Sequence, residues 1–246
     1  MPVLVAPDAF GGELRAPVVA AAIGRGLERA GVRPPELCPV SGGGRGTIEV
    51  LLPVLGGETA DGIALVEDGA TAIVELGEPA ATGELLATAA ATGAAVVVLA
   101  ATDADRDAGA LIAALDDHGG LGGAALVVLC DTRDPGPLAT ALRDRRRARL
   151  VAGVPFVLQA LDFDARLRGA HAVVVGEGRL DRSSLRGRVA GEIATRARQG
   201  GVPCHAVVGV DAIERFDARI LDLQAIVEAA TISDLEVAGE KLAAYL

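Results

Sequence analysis

Lysine is almost missing from this chain of 246 residues: Lys241 stands alone, and arginine supplies the rest of the basic side chains. A phosphate-binding lysine inside a glycine-rich loop is therefore excluded throughout the body of the protein. There is no tryptophan and aromatic residues make up 2%, so a nucleotide base would have to lie against aliphatic side chains. Cys38, Cys130 and Cys204 are isolated in apolar runs, an odd number without metal-ligand spacing. That pattern predicts buried thiols in a reducing compartment rather than a disulfide framework. His118, His171 and His205 are scattered and suggest no metal centre. The longest apolar stretch, Ala94–Ala101, is too short to span a bilayer, and the run ahead of Asp8 is too short for a secretory leader, so a cytoplasmic protein is expected. Positive charge is in deficit as well. A net charge of −10 disfavours wholesale binding to nucleic acid or to an anionic membrane.

What the chain does have is apolar residues (51%) and glycine (32 residues), which suits α/β units joined by short turns. Its most informative stretch is 171–201. Ala172–Val175 is a β-branched apolar run of the kind found in buried parallel strands. It is expected to stop at a tight turn, Gly176-Glu177-Gly178, and to give way to a charged loop carrying Arg179, Asp181, Arg182, Arg186 and Arg188. Ile193, Ala194 and Ala197 then predict a helix ended by Gly200-Gly201, and Val202–Val210 a second strand. Ligands of such units sit where the chain leaves the strand's C-terminal end.

Two further junctions have the same form. Val3–Ala6 predicts a strand whose tip carries Asp8, a candidate catalytic carboxylate or a turn residue, followed by a helix over 16–30. Leu37–Val40 predicts another, followed by Ser41-Gly42-Gly43-Gly44-Arg45-Gly46-Thr47 and a helix over 48–55. Consecutive glycines at a helix start let backbone N–H groups approach a phosphate, but the spacing is not that of a P-loop. From Gly57 the texture changes to an antiparallel hairpin turning at Asp68-Gly69, then helices over 82–91 and 108–115 and strands over 94–101 and 125–130. The arginine run 143–149 reads as a solvated helix face or connection. Short helical pieces at 155–161 and 164–168 lead back, Ala225–Val227 is a faint strand, and Ser233 is expected to cap a terminal helix over 235–244. The expected organisation is an α/β domain of residues 1–56 plus 150–246, with a second α/β domain, 57–149, inserted.

Several motifs, taken in order, resemble those of the glycerate kinase family. Val5–Ala16 (VAPDAFGGELRA) is similar to the family's APDSFKGSLSA, Pro39–Thr47 (PVSGGGRGT) to PxADGGEGT, Cys130–Pro137 (CDTRDPGP) to ACDVxNPLxGP, and the 171–201 segment to GEGR(I/L)DSQT…GK. The resemblance implies a flavodoxin-like, Rossmann-type parallel sheet domain bearing an inserted α/β domain. It also implies ATP-dependent phosphoryl transfer to the hydroxyl of D-glycerate or a related hydroxy acid, with ATP and Mg²⁺ required. Carried over, it makes Asp8 and Asp181 the catalytic carboxylates and Asp131 a metal ligand. Ser41, Gly42, Gly43, Gly44, Arg45 and Thr47, together with Gly176, Glu177, Gly178, Arg179, Arg186 and Arg188, become the phosphate- and substrate-binding set. The partners implied are a small anionic, glycerate-like substrate and a nucleotide, with a homodimer allowed and neither nucleic acid nor membrane. Departures from the family pattern are Gly11 for lysine, Ser41 for aspartate, Arg45 for glutamate, Ser183-Ser184 for Gln-Thr and Arg188 for lysine. The loop 100–109 stands where the family has a glycine- and threonine-rich segment. These departures open a second reading, a catalytically degenerate relative that binds an anion, a nucleotide or a partner.

Overall fold

The computed structural model describes residues 1–102 and 106–246, so the counterpart of the family's threonine-rich loop, 100–109, lies partly outside the described residues. The chain opens with β1 (Val3–Pro7), α1 (Ala16–Arg29) and β2 (Glu36–Leu37). It continues through α2 (Thr47–Leu55), β3 (Glu58–Ala60), β4 (Ile63–Val66), β5 (Thr71–Glu75), α3 (Pro79–Ala91) and β6 (Val96–Ala100). Next come α4 (Ala108–Asp117), β7 (Ala125–Cys130), α5 (Gly136–Arg146), β8 (Arg149–Ala152), α6 (Gly153–Ala160) and α7 (Phe163–Gly169). The last part holds β9 (Ala172–Leu180), α8 (Val189–Gly200), β10 (Cys204–Asp211), α9 (Arg215–Leu221), β11 (Leu223–Glu228) and α10 (Ile232–Leu242).

Two compact units form. The first comprises Met1–Ser41 and Leu161–Leu246, and the second, Gly42–Ala160, is inserted between them in sequence. The division corrects the expected one at both ends: 42–56 and 150–160 belong with the second unit. The reason is packing, because α2 and α6 rest on each other and on β4, β5, β7 and β8.

In the first unit the sheet order is β2-β1-β9-β10-β11, all parallel. Counted within the unit this is the 2-1-3-4-5 order of a flavodoxin-like sheet, and its order reverses between β1 and β9. The near-continuous apolar strands are those of a sheet covered on both faces. Val3, Val5, Val174 and Val207 pack on one face with Val19, Ile23 and Leu27 of α1 and Leu235 and Leu242 of α10. Each such side chain, fully buried, contributes roughly 1.5–3 kcal/mol. On α8, Ile193, Ala194 and Ala197 are buried as the helical spacing predicts, and α8 packs against β9 and β10. The terminal helix begins earlier than expected, because Thr231, not Ser233, is its cap: the Thr231 hydroxyl accepts from the Asp234 N–H, and the Asp234 carboxylate accepts from the Thr231 N–H.

In the second unit the order is β3-β4-β5-β6-β7-β8, antiparallel from β3 to β5 and parallel from β5 to β8. The expected hairpin is β4–β5, and its turn uses positive φ at Glu67, Asp68 and Gly69 (54°, 56° and 83°). Leu86, Leu99, Leu111, Leu115, Val128 and Leu142 centre the core under α3, α4 and α5. The arginine run lies on the last turn of α5 and the start of β8. All three cysteines are buried free thiols, and burial pushes Cys38 up to about 11.

Candidate functional site

The segment expected to turn at Gly176-Glu177-Gly178 does not turn. β9 runs straight through it to Leu180, pairing Gly176 with Pro7 on one side and Glu177 with Val208 on the other. The glycines serve proximity, not a bend. A Cβ on Gly176 would lie 2.5 Å from the Pro7 Cβ, and one on Gly178 3.0 Å from the Gly11 nitrogen. Gly11 and Gly12 form a turn at positive φ (60° and 80°), closed by hydrogen bonds between Phe10 and Leu14. The extra length of β9 carries Glu177 beside the end of β1, where the Asp8 N–H donates to the Gly176 carbonyl at 2.9 Å. This is the C-terminal edge of the sheet at its switch point, the usual ligand position of such a fold. β2 ends at the same edge, where the Val40 N–H donates to the Pro7 carbonyl, so the buried Ser41 follows there.

Three carboxylates meet different conditions at this edge. Asp8 is half-buried, and its Oδ1 accepts the Ala9 N–H at 2.7 Å. Asp181 opens the 3₁₀ turn Arg182–Arg186. Its Oδ1 accepts from the Ser183 hydroxyl (2.6 Å) and N–H (2.8 Å), and its Oδ2 from Arg179 Nε (3.1 Å). The Ser183 hydrogen bonds, then Arg179, hold the Asp181 carboxyl below its usual range. Glu177 is 7% exposed. Its Oε2 accepts from the Ser184 hydroxyl at 2.8 Å, and its Oε1 lies 3.8 Å from Arg188 Nε. Burial pushes this carboxyl up to about 7 against Ser184 and Arg188, and the charges of Asp8 and Asp181 add to the rise.

The basic side chains stand outside. Arg179, Arg186 and Arg188 are exposed, with Arg179 on Asp181 and Arg188 reaching both Glu177 and, at 3.4 Å, the Ser183 hydroxyl. Gly187, at φ 89°, turns the chain from the 3₁₀ segment into α8.

Gly42 to Thr47 belong to the second unit, where they have a local structural task. Gly43 (φ 87°) is pressed against Gly153, whose Cα would lie 2.6 Å from a Cβ at 43. Thr47 Oγ1 donates to the Gly44 carbonyl at 2.6 Å. The second N–H of α2, that of Ile48, is already taken by the Glu75 carboxylate at 2.8 Å. Arg45 is exposed. Asp131 lies in this unit too, exposed after β7, its Oδ1 accepting the Arg133 N–H. Among the described residues no three His, Cys, Asp or Glu side chains are grouped to hold a metal ion, and no helix is long and apolar enough to cross a membrane.

Compared with known proteins, the sequence profile of the glycerate kinase family matches residues 3–120 and 134–244. The chain belongs to the glycerate kinase family. Among curated glycerate kinases, that of Halalkalibacterium halodurans is 40% identical over 62 residues, 25% of this chain and 16% of that one. The Neisseria meningitidis glycerate kinase is 39% identical over 74 residues, 30% of this chain and 20% of that one. These matches span no more than a fifth of the relatives' own length. A solved structure, provisionally named glycerate kinase 2 of Salmonella typhimurium LT2, superposes over 100% of this chain and 98% of its own, with a TM-score of 0.72 at 19% identity. The two-domain α/β fold is thus shared.

Of the residues singled out from the glycerate kinase motifs, Asp8, Ser41 and Gly176–Asp181 follow or end strands at one sheet edge, with Arg186 and Arg188 in the turn beyond. The residue the motif reading passed over is Ser184, which is fully buried. Its hydroxyl donates to Glu177 and accepts the Asp181 N–H at 3.4 Å, joining the two carboxylates. The Asp-x-x-Ser spacing is that of a reciprocal helix cap, and it is the signal that could have found it.

Proposed function

We propose that this glycerate kinase family member transfers the γ-phosphoryl group of ATP to the hydroxyl of D-glycerate or a closely related hydroxy acid. The observation that carries the reading is the edge between β1 and β9, where Asp8, Glu177 and Asp181 stand with Arg179 and Arg188 in a chain of that family. Catalysis of phosphoryl transfer is mostly positioning and charge stabilisation, which carboxylates and arginines can supply without covalent chemistry. Arg179, Arg186 and Arg188 suit the substrate's carboxylate or the nucleotide's phosphates, as planar donors able to bind two oxygens at once.

Mg²⁺ would neutralise phosphate charge. It keeps several waters and typically takes only one or two protein carboxylates, so the absence of a three-ligand group among the described residues is compatible with it. Asp8 and Asp181, at the β1–β9 edge, fit that demand, and Asp131, exposed after β7, is a further candidate metal ligand. In the second unit, the Gly42–Thr47 turn, with Ser41 before it, is the further candidate for phosphate contact through Gly42, Gly43, Gly44, Arg45 and Thr47.

The test is direct assay of phosphoglycerate formed from ATP, Mg²⁺ and D-glycerate. Slow but definite turnover is expected, with Arg188→Ala reducing it at least tenfold. No product from the unmutated protein, with thermal stabilisation by ATP or glycerate retained, would replace the reading with that of a binding module. That second reading is favoured by Gly11 and Arg45 and by the α2 donor already given to Glu75.

A further inference from the structure

We infer that the 3₁₀ turn Ala243–Tyr245, which follows α10, is a pH-sensitive latch: it closes over the buried His205 and lets go when that imidazole takes up a proton. The inference is independent of the phosphoryl-transfer reading, since His205 lies on the N-terminal side of the Val208–Glu177 pair, away from the strand ends at the candidate site. His205 is 1% exposed, and among the described residues neither ring nitrogen has a hydrogen-bond partner. Its register partners are Val174 on β9 and Ala225 on β11. Val174 and Val207 both face the core beneath α1 and α10, so strand alternation turns the imidazole to that same face. There the Tyr245 ring stands 6.4 Å away, tilted by 46°, and Leu246 packs on the same core.

A neutral imidazole is tolerated in this place and an imidazolium is not. The charged form carries two N–H donors and a net charge, and desolvation penalises both. Its surroundings do not offset that cost. On β9 and β11 the partners are apolar, and α10 turns Leu235, Ala238 and Leu242 to the core. The charged groups of the neighbouring elements are engaged elsewhere or exposed: Glu236 pairs with Arg25 and Arg29, Glu240 with Arg29, Asp234 with Thr231, and Glu228 accepts the Asp211 N–H, while Glu28 and Lys241 are exposed. Tyr245 lies beyond the ~6 Å within which a ring face steadies a cation. Burial holds the proton affinity of His205 below the usual histidine range, and among the described residues no charged group adds to the effect. The cover that can yield is the turn. β10 is hydrogen-bonded on both sides, and α10 is pinned to α1 by those ion pairs and by Gly26, where a Cβ would strike the Glu236 carbonyl. The turn has no buried residue of its own, and Tyr245 is exposed; segments packed so thinly open first.

Because closure lowers the proton affinity of His205, the latch is held fully above about pH 6.5, the ordinary histidine value, and loosens as pH falls below it. Between about pH 8 and pH 5 its opening should rise roughly tenfold, with about 30-fold as the ceiling. The experiment follows the full chain across that range. Imidazole NMR signals report proton uptake by His205, and amide exchange, corrected for its intrinsic pH dependence, reports opening of residues 243–246 and of β10. Exchange at 243–246 should accelerate about tenfold in step with protonation of His205 while β10 stays protected, and His205→Leu should abolish the acceleration. The inference is overturned by unchanged exchange at 243–246 down to about pH 5, or by equal acceleration in His205→Leu. Loss of protection in β10 at the same pH overturns it too, since the event would then be unfolding and not release of a latch. If His205→Leu does not fold, the coincidence of proton uptake and exchange in the unmutated protein decides alone.

Discussion

The two glycine-rich segments look alike in sequence and do opposite things in the structure. In Gly42–Gly46 the glycines at 43 and 46 adopt positive φ (87° and 86°), and the chain turns into α2. In Gly176–Gly178 the backbone stays extended, and glycine is needed because neighbouring strands and the turn at Gly11 come too close for a side chain. One segment uses freedom of rotation and the other uses smallness. The difference also separates their chemistry: the turn has one first-turn donor committed to Glu75, whereas the extended segment delivers a buried carboxylate, Glu177, that accepts from the Ser184 hydroxyl.

The contrast can be broken in three places. Gly176→Ala should be the most damaging, because the Pro7 Cβ 2.5 Å away belongs to a central strand that cannot yield. Overpacking of this kind costs about 1–3 kcal/mol, readable as a lower urea midpoint. Glu177→Gln should act in the other direction. This carboxyl ionises near 4.5 when unfolded and at about 7 when folded. Its contribution to stability is full below 4.5 and is lost as pH rises to about 7. At pH 8 the glutamine variant should therefore be more stable than the unmutated protein by roughly 1–3 kcal/mol, an advantage absent at pH 4. The smallest effect is expected from Gly46→Ala, where nothing stands within 4 Å of a new Cβ. Only the left-handed backbone resists, at a cost of about 1 kcal/mol. Equal losses at 46 and 176 would refute the distinction between the two segments.

Most strands and helices were legible because apolar runs and helical spacing report burial directly. β9 was legible only as far as Val175, since a glycine in one sequence can mean rotation or proximity and only its neighbours decide. β8 was hidden by arginines, whose charge obscured a half-buried edge strand over 149–152. The seven-residue α9 was too short to display a period, and its Phe216 is exposed. At the candidate site, the positions of Asp8, Glu177 and Asp181 at a strand-end edge were readable from their motifs. The opposite shifts of Glu177 and Asp181 were not, because they depend on burial and on Ser183, Ser184 and Arg188 closing around them in space.

The close approach of Gly42 and Gly43 to Gly153 bears on how the chain assembles. The central pairing of the first sheet, β1 with β9, joins residues near 5 to residues near 174. Closing so long a loop from an unfolded chain carries an entropy cost that grows with its length. The second unit holds its own entry and exit together through that glycine contact. Folded first, it replaces most of the loop by a short bridge, so the two halves of the first sheet meet almost as neighbours in sequence. The contact at Gly153 is thus the place where an inserted unit that folds first would shorten the loop its host must close.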